Sequence, residues 1–198
     1  MGVDAETLAG TEPRPWLSIL VPVYNVAPFV EECLHSIGGQ LDGRPDIEVI
    51  LLDDLSTDES ADLCENFIAR CDADIRLLRH AENSGPSAAR NSMLEVARGD
   101  YVWFVDADDK ILPGSIEALQ RIAASVAPDI IMCDYVREGR EHYPTFDGPA
   151  RCVGSCTETL VAGVFAKRRL HAWSRIWKRD LFGSSIRFPV GACFEDAA

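Results

Sequence analysis

The chain has 198 residues, which suits one domain that buries roughly 70% of its unfolded surface. A hydrophobic content of 47%, a charged content of 26% and a net charge of −13 describe an ordinary globular protein and argue against nonspecific nucleic-acid binding. No apolar run reaches the ~18–20 residues of a membrane span, and seven scattered cysteines imply a reducing compartment rather than a disulfide framework.

Residues 1–15, with Pro13 and Pro15, read as a flexible lead. They are acidic and lack the apolar core of a secretory signal, and Glu6 stands where a myristoylation signal needs Ser or Thr. Residues 16–21 form a first strand, closed by Pro22, and the pattern of Phe29, Cys33, Leu34 and Ile37 predicts a helix over 28–40. A second strand covers 47–52. Ser56-x-x-Glu59 reads as a capping box opening a helix to about Cys71. A short strand over 75–78 leads to the Asn83–Pro86 turn and a helix from Ser87 to about Arg98. A strand over 101–105, a helix over 113–125 and a strand over 129–133 follow. This repetition predicts an α/β protein with a Rossmann-like, mostly parallel central sheet and helices on both faces.

Beyond Asp134 the periodicity is lost to about Gly154, where excursions or an antiparallel edge are expected. Two helical pieces, 157–165 and 173–181, come next, the second placing Trp173 and Trp177 on one face, as core packing or as flanks of a pocket. Cys152-x-x-x-Cys156 lacks a second pair or a nearby His, so zinc is not expected. Six basic residues between Lys167 and Arg179 are uninterrupted by acids. They form either a solvated helix face or a patch for phosphates or an anionic membrane surface. The chain is expected to be cytoplasmic, with peripheral contact at the inner face of the membrane left open through 167–179.

Polar clusters sit at the ends of three strands: Pro22-Val23-Tyr24-Asn25, Asp53-Asp54-Leu55-Ser56 and Asp106-Ala107-Asp108-Asp109. In open α/β sheets this is the edge where ligands bind. The stretch GDYVWFVDADD, residues 99–109, carries the chemistry. Strand alternation puts Asp106 and Asp108 on one side and Asp109 on the other. Two carboxylates at the mouth of an apolar strand repel each other unless a hard cation, Mn²⁺ or Mg²⁺, joins them, and a solvated acidic turn is the alternative. No GxxxxGK[ST] and no GxGxxG occurs, so nucleotide hydrolysis and dinucleotide redox chemistry lack their usual cradles.

SILVPVYN, EVILLDDLSTDES, ENSGPSAARNSML and GDYVWFVDADD resemble, in order and spacing, the blocks of family 2 glycosyltransferases, and WSRIWKRDLF…IRFPVGACFED resembles the family's final motif. The resemblance implies a GT-A fold and an inverting transfer of sugar from a nucleotide-diphosphate donor, a UDP-sugar, to an acceptor hydroxyl. It implies that Asp54 accepts from the base N–H, that Tyr24 or Pro22 lies against the ring, and that Asn25 belongs to the same nucleotide wall. Arg90, with Asn91, would face phosphate or base from its helix, or Arg90 would pair with an Asp of the second strand. Asp106 would bind the ribose or reach the metal through water, and Asp108 would bind the metal directly. Asp196, beside Glu195, would be the general base, while Asp53 is read as structural and His171 as structural or exposed. Leu55 stands where the family usually has Gly, so a positive φ there would be strained.

The resemblance divides 16–198 into a nucleotide-binding half, 16–110, and an acceptor half, 111–198. It also implies a domain continuing beyond Asp196, so the chain is expected to be truncated, keeping donor binding with weak or absent transfer. The acceptor would be a glycan or a lipid-linked or polyol-phosphate molecule. A catalytically silent nucleotide-sugar-binding domain, or the front module of a larger cell-wall polymer phosphotransferase, is the alternative.

Overall fold

A computed structural model describes residues 14–137, 142–145, 171–183 and 186–191. Alternating elements build the first part: β1 (Leu17–Val23), α1 (Ala27–Gly38), β2 (Ile47–Asp53), α2 (Ser60–Ile68), β3 (Ile75–Arg79), α3 (Gly85–Val96), β4 (Tyr101–Phe104) and α4 (Ser115–Val126). Then come β5 (Ile130–Met132), β6 (Tyr135–Val136), β7 (His142–Tyr143) and β8 (Arg175–Lys178). The central sheet runs β3-β2-β1-β4-β8-β5, with β1 to β4 parallel and β8 antiparallel to both of its neighbours. β6 and β7 form a separate antiparallel pair, the excursion expected after Asp134.

Both faces of the sheet are covered, which explains why its strands are almost continuously apolar. Leu17, Ile19, Val21 and Val23 alternate onto one face, where α1, α2 and α4 contribute Cys33, Leu34, Cys64, Ile116 and Leu119. Leu20, Ile50, Leu52 and Phe104 face the other way, onto Ala89, Met93 and Leu94 of α3. β1 continues through Pro22 rather than ending there, because β4 has stopped opposite Leu20 and leaves that side of β1 without a ladder partner for the missing N–H.

Three local expectations are corrected. Residues 173–181 are not a helix. A 3₁₀ turn (Ala172–Ser174) leads into β8, and a second (Arg179–Phe182) follows it. Ile176 and Trp177 suit a strand, and the gap in the sheet between β4 and β5 outweighs any helical spacing of Trp173 and Trp177. The Ser56–Glu59 capping box does not form, since α2 begins at Ser60. Ser56 Oγ instead accepts from Asn25 N at 3.1 Å, and Asp58 accepts from Ser60 N and Ala27 N, each at 3.0 Å. The basic stretch is not one solvated face among the described residues. Arg175 is buried at the β5–β8 end nearest Asp106, while Arg179 donates to Gly99 O at 2.8 Å at the opposite edge.

At that opposite edge Gly99 is required sterically: a Cβ there would lie 2.5 Å from Ser18 N and 2.8 Å from Leu17 C. Among the described residues Cys33, Cys64, Cys71 and Cys133 are free. Desolvation pushes the Cys33, Cys64 and Cys133 thiols up to about 12, so they pack as small apolar groups. The helical piece 157–165, Cys152 and Cys156 lie outside the described residues.

Candidate active site

β2 and β3 extend to one side of β1 and β4 lies on the other, so strand order reverses between β1 and β4 and opens a crevice beyond their carboxyl ends. The ends of β2 and β4 are two strand spacings apart, about 10 Å. Tyr24 and Asn25 follow β1 at its middle, Asp54 and Leu55 border one side, and Asp106 to Asp109 border the other.

The acidic turn differs from its strand-based expectation. β4 ends at Phe104, and Asp109 N donates to Asp106 O at 3.0 Å, closing a turn in which strand alternation no longer applies. Asp109 therefore does not face away: Asp106, Asp108 and Asp109 each offer an oxygen within 4.8 Å of the others. Desolvation, then the charges of Asp106 and Asp108, push the Asp109 carboxyl up to about 6. An oxygen-only, trianionic donor set of this span fits a hard divalent cation, whose adjacent ligands are about 3 Å apart.

Arg90, almost fully buried on α3, reaches Asp106 Oδ1 at 3.3 Å. The expected alternative partner, an Asp of the second strand, is not the one it meets. Asp53 Oδ1 caps the turn after β2 by accepting from Ser56 N at 3.0 Å, the structural role expected of it.

Asp54 is buried and heavily engaged. Its Oδ1 accepts from Ser84 N at 3.0 Å and from His80 Nδ1 at 2.6 Å, and its Oδ2 accepts from Gly85 N at 2.7 Å, at the start of α3. A carboxylate only accepts, so His80 holds its proton on Nδ1 and turns Nε2 toward Ser92 Oγ, 2.9 Å away. His80 escaped the sequence reading, although a polar residue just past β3 at this same edge was the available signal.

Asn25 adopts φ +53 and accepts from Thr57 N at 2.8 Å, locking the turns after β1 and β2 together. Leu55 has φ +62, the strained left-handed conformation expected if its turn kept the family geometry. Tyr24 is half exposed, directly after β1. His171 stacks on Trp173 at 4.8 Å. Glu195 and Asp196 lie outside the described residues. No described helix is long and apolar enough to cross a membrane.

The family model described as glycosyl transferase family 2 matches residues 18–177. The uncharacterized glycosyltransferase EpsJ of Bacillus subtilis (strain 168) is 35% identical over 173 residues, covering 85% of this chain and 49% of EpsJ. S. aureus TarS 1–349 in complex with UDP-GlcNAc has a TM-score of 0.77 at 26% identity, over 91% of this chain and 50% of that one. The mannosyltransferase PcManGT from Pyrobaculum calidifontis, in complex with GDP-Man and Mn²⁺, has a TM-score of 0.68 at 22% identity, over 92% of this chain and 50% of that one, a likeness of fold. The chain spans about half the length of the first curated relatives it matches, 49% and 51%.

Proposed function

The chain belongs to glycosyl transferase family 2 and has a GT-A fold, and from that premise we propose that it transfers sugar from a UDP-sugar to an acceptor hydroxyl. The observation that carries this reading is the trio Asp106, Asp108 and Asp109, oxygens within 4.8 Å, at the switch-point crevice of the sheet. The UDP-GlcNAc bound by TarS, a 26% identical neighbour, supports uridine as the nucleoside.

In this reading Asp108 and Asp106 hold a divalent ion, Mn²⁺ or Mg²⁺, with Asp109 completing the acidic turn. When bound, that ion offsets charge on the departing diphosphate. Pro22 and Tyr24 line the base, Asp54 accepts from its N–H in exchange for one of its present donors, and Asn25 fixes the turn that carries Tyr24. Arg90 keeps Asp106 aimed at the ribose. Asp196, with Glu195 beside it, takes the proton of the acceptor hydroxyl in a single displacement that inverts the sugar. The acceptor is a glycan or a lipid-linked or polyol-phosphate molecule, which places the reaction in polysaccharide assembly.

Calorimetric titration with UDP tests the donor side. Binding is expected to depend on Mn²⁺ and to weaken at least about ten-fold in Asp108→Ala. Equal binding by the variant overturns the metal assignment, and no binding of any nucleoside diphosphate overturns the donor assignment. UDP release from a UDP-sugar, lost in Asp196→Ala, tests the base.

A further inference from the structure

Asn91 sits one residue beyond the arginine that meets Asp106, yet its side chain does not enter the crevice contacts described above. Its Nδ2 donates to Phe188 O and its Oδ1 accepts from Phe188 N, both at 2.9 Å, across 97 residues of chain. The carboxamide thus reads the backbone of the 186–191 segment as a neighbouring strand would. Pairing both groups of one residue fixes the segment's position and its direction.

The pinned residue is not a bystander. The Phe188 ring meets Phe104 edge to face at 5.2 Å, the last residue of β4 before the acidic turn. Its face lies 5.5 Å from Arg90 Cζ. Arg90 in turn reaches Asp106. One guanidinium is therefore held between an aromatic face supplied by the late segment and a carboxylate of the acidic turn. A cation over a ring face is attracted by the ring quadrupole, most strongly where water is excluded, and Arg90 is buried.

We propose that Asn91 and Phe188 are positioning residues of the donor site: Asn91 clasps the 186–191 segment to α3 so that Phe188 backs Arg90 and Arg90 holds Asp106 in place. The donor site then draws on a segment far beyond residue 110, which sets the geometry of the acidic turn. This rests on the donor-binding reading above.

Four variants of the full chain, three single and one double, test it by calorimetry with UDP and Mn²⁺. Phe188→Leu keeps an apolar side chain but removes the ring, and Asn91→Asp keeps the acceptor but turns a carboxylate oxygen toward Phe188 O. Each is expected to weaken Mn²⁺-dependent UDP binding about five-fold, and the double variant no more than either alone, because both act through Arg90. Phe188→Tyr, which restores a ring face, is expected to recover affinity to within about two-fold. Loss of thermal stability with unchanged affinity in Phe188→Leu and Asn91→Asp overturns the proposal and leaves a purely structural clasp.

A ligand-free measurement keeps the brace distinguishable from the donor reading. The Arg90 Nε–H resonance, displaced by the ring current of Phe188, is expected to return toward an ordinary arginine position in Asn91→Asp. An unmoved resonance overturns the brace even if UDP binds. If wild-type protein binds no nucleotide, the donor reading fails, and with it the positioning role, whatever the resonance does.

Discussion

At the start of β2, Glu48 is fully buried, and its carboxylate accepts from Ser18 Oγ at 2.6 Å, Arg98 N at 2.5 Å, Arg98 Nε at 2.9 Å and Arg76 Nη2 at 2.7 Å. At the end of β4, by contrast, three carboxylates crowd within 4.8 Å of one another, and Asp109 is pushed up to about 6. The two clusters lie at opposite edges of the same sheet. One charge is surrounded by donors and ties β1, β2, β3 and the Arg98–Gly99 turn together. The other group carries repulsion that a ligand can relieve. Left-handed backbone does not follow the same division: Asn25 and Leu55, with φ +53 and +62, border the acidic edge, but Ala127, with φ +43, closes α4 near the opposite one. Carboxylate count alone does not mark a site. What marks it is carboxylate charge that a guanidinium, Arg90 on Asp106, only partly offsets in a place that ligand can reach.

The strongest way to break this contrast is Glu48→Ala, which leaves buried Ser18 and the partly exposed Arg76 and Arg98 without their shared acceptor. A loss of about 2–3 kcal/mol in urea unfolding is expected, because solvent relieves part of the stranded charge. The same site sets acid sensitivity. Desolvation raises the Glu48 carboxyl, but hydrogen bonds from Ser18 and Arg98 and the Arg76 charge outweigh it and hold the group below the usual glutamate range. A depressed carboxyl stabilises the fold above its unfolded value, about 4.3, and that contribution disappears as pH falls through the lower folded value. Glu48→Gln should therefore flatten the stability profile on the acid side of about pH 4, measured by denaturant midpoint.

A smaller effect of opposite sign is expected at the other edge. The raised Asp109 carboxyl favours the fold while protonated and opposes it as pH rises through about 6. In chelator, Asp109→Asn should stabilise by about 1 kcal/mol near pH 8, given its solvent exposure, and by nothing near pH 4. Equal effects at both pH values would show that repulsion is not the cause. Smallest is Leu55→Gly, where relief of left-handed strain is partly cancelled by greater freedom of the unfolded chain. A gain of about 0.5 kcal/mol is expected, against a loss of about 1 kcal/mol for Leu55→Val, whose branched Cβ suits positive φ less well.

The layered architecture was legible because both-face burial leaves strands continuously apolar and helices periodic, as β1, β2 and α1 show. The positions of Tyr24, Asp54 and Asp106 at one edge followed from strand ends alone. β8 was not legible: four residues, Arg175–Lys178, carry too little pattern to reveal a strand whose partners lie far away in sequence. Asp109 was misplaced because alternation was extended past the end of β4 into a turn.

By itself, then, the sequence determined the α/β class, the family, and which carboxylates stand at the carboxyl edge, since these depend on local periodicity and on short ordered motifs. Only the tertiary structure decided that β8 closes the sheet beside β4, that Arg90 meets Asp106, and that Asn91 grips Phe188 across 97 residues. Those pairings join positions whose neighbours in sequence hold no record of each other. They exist because packing on the α3 face brings the middle of the chain against the later segments that carry Trp177, Phe182 and Phe188.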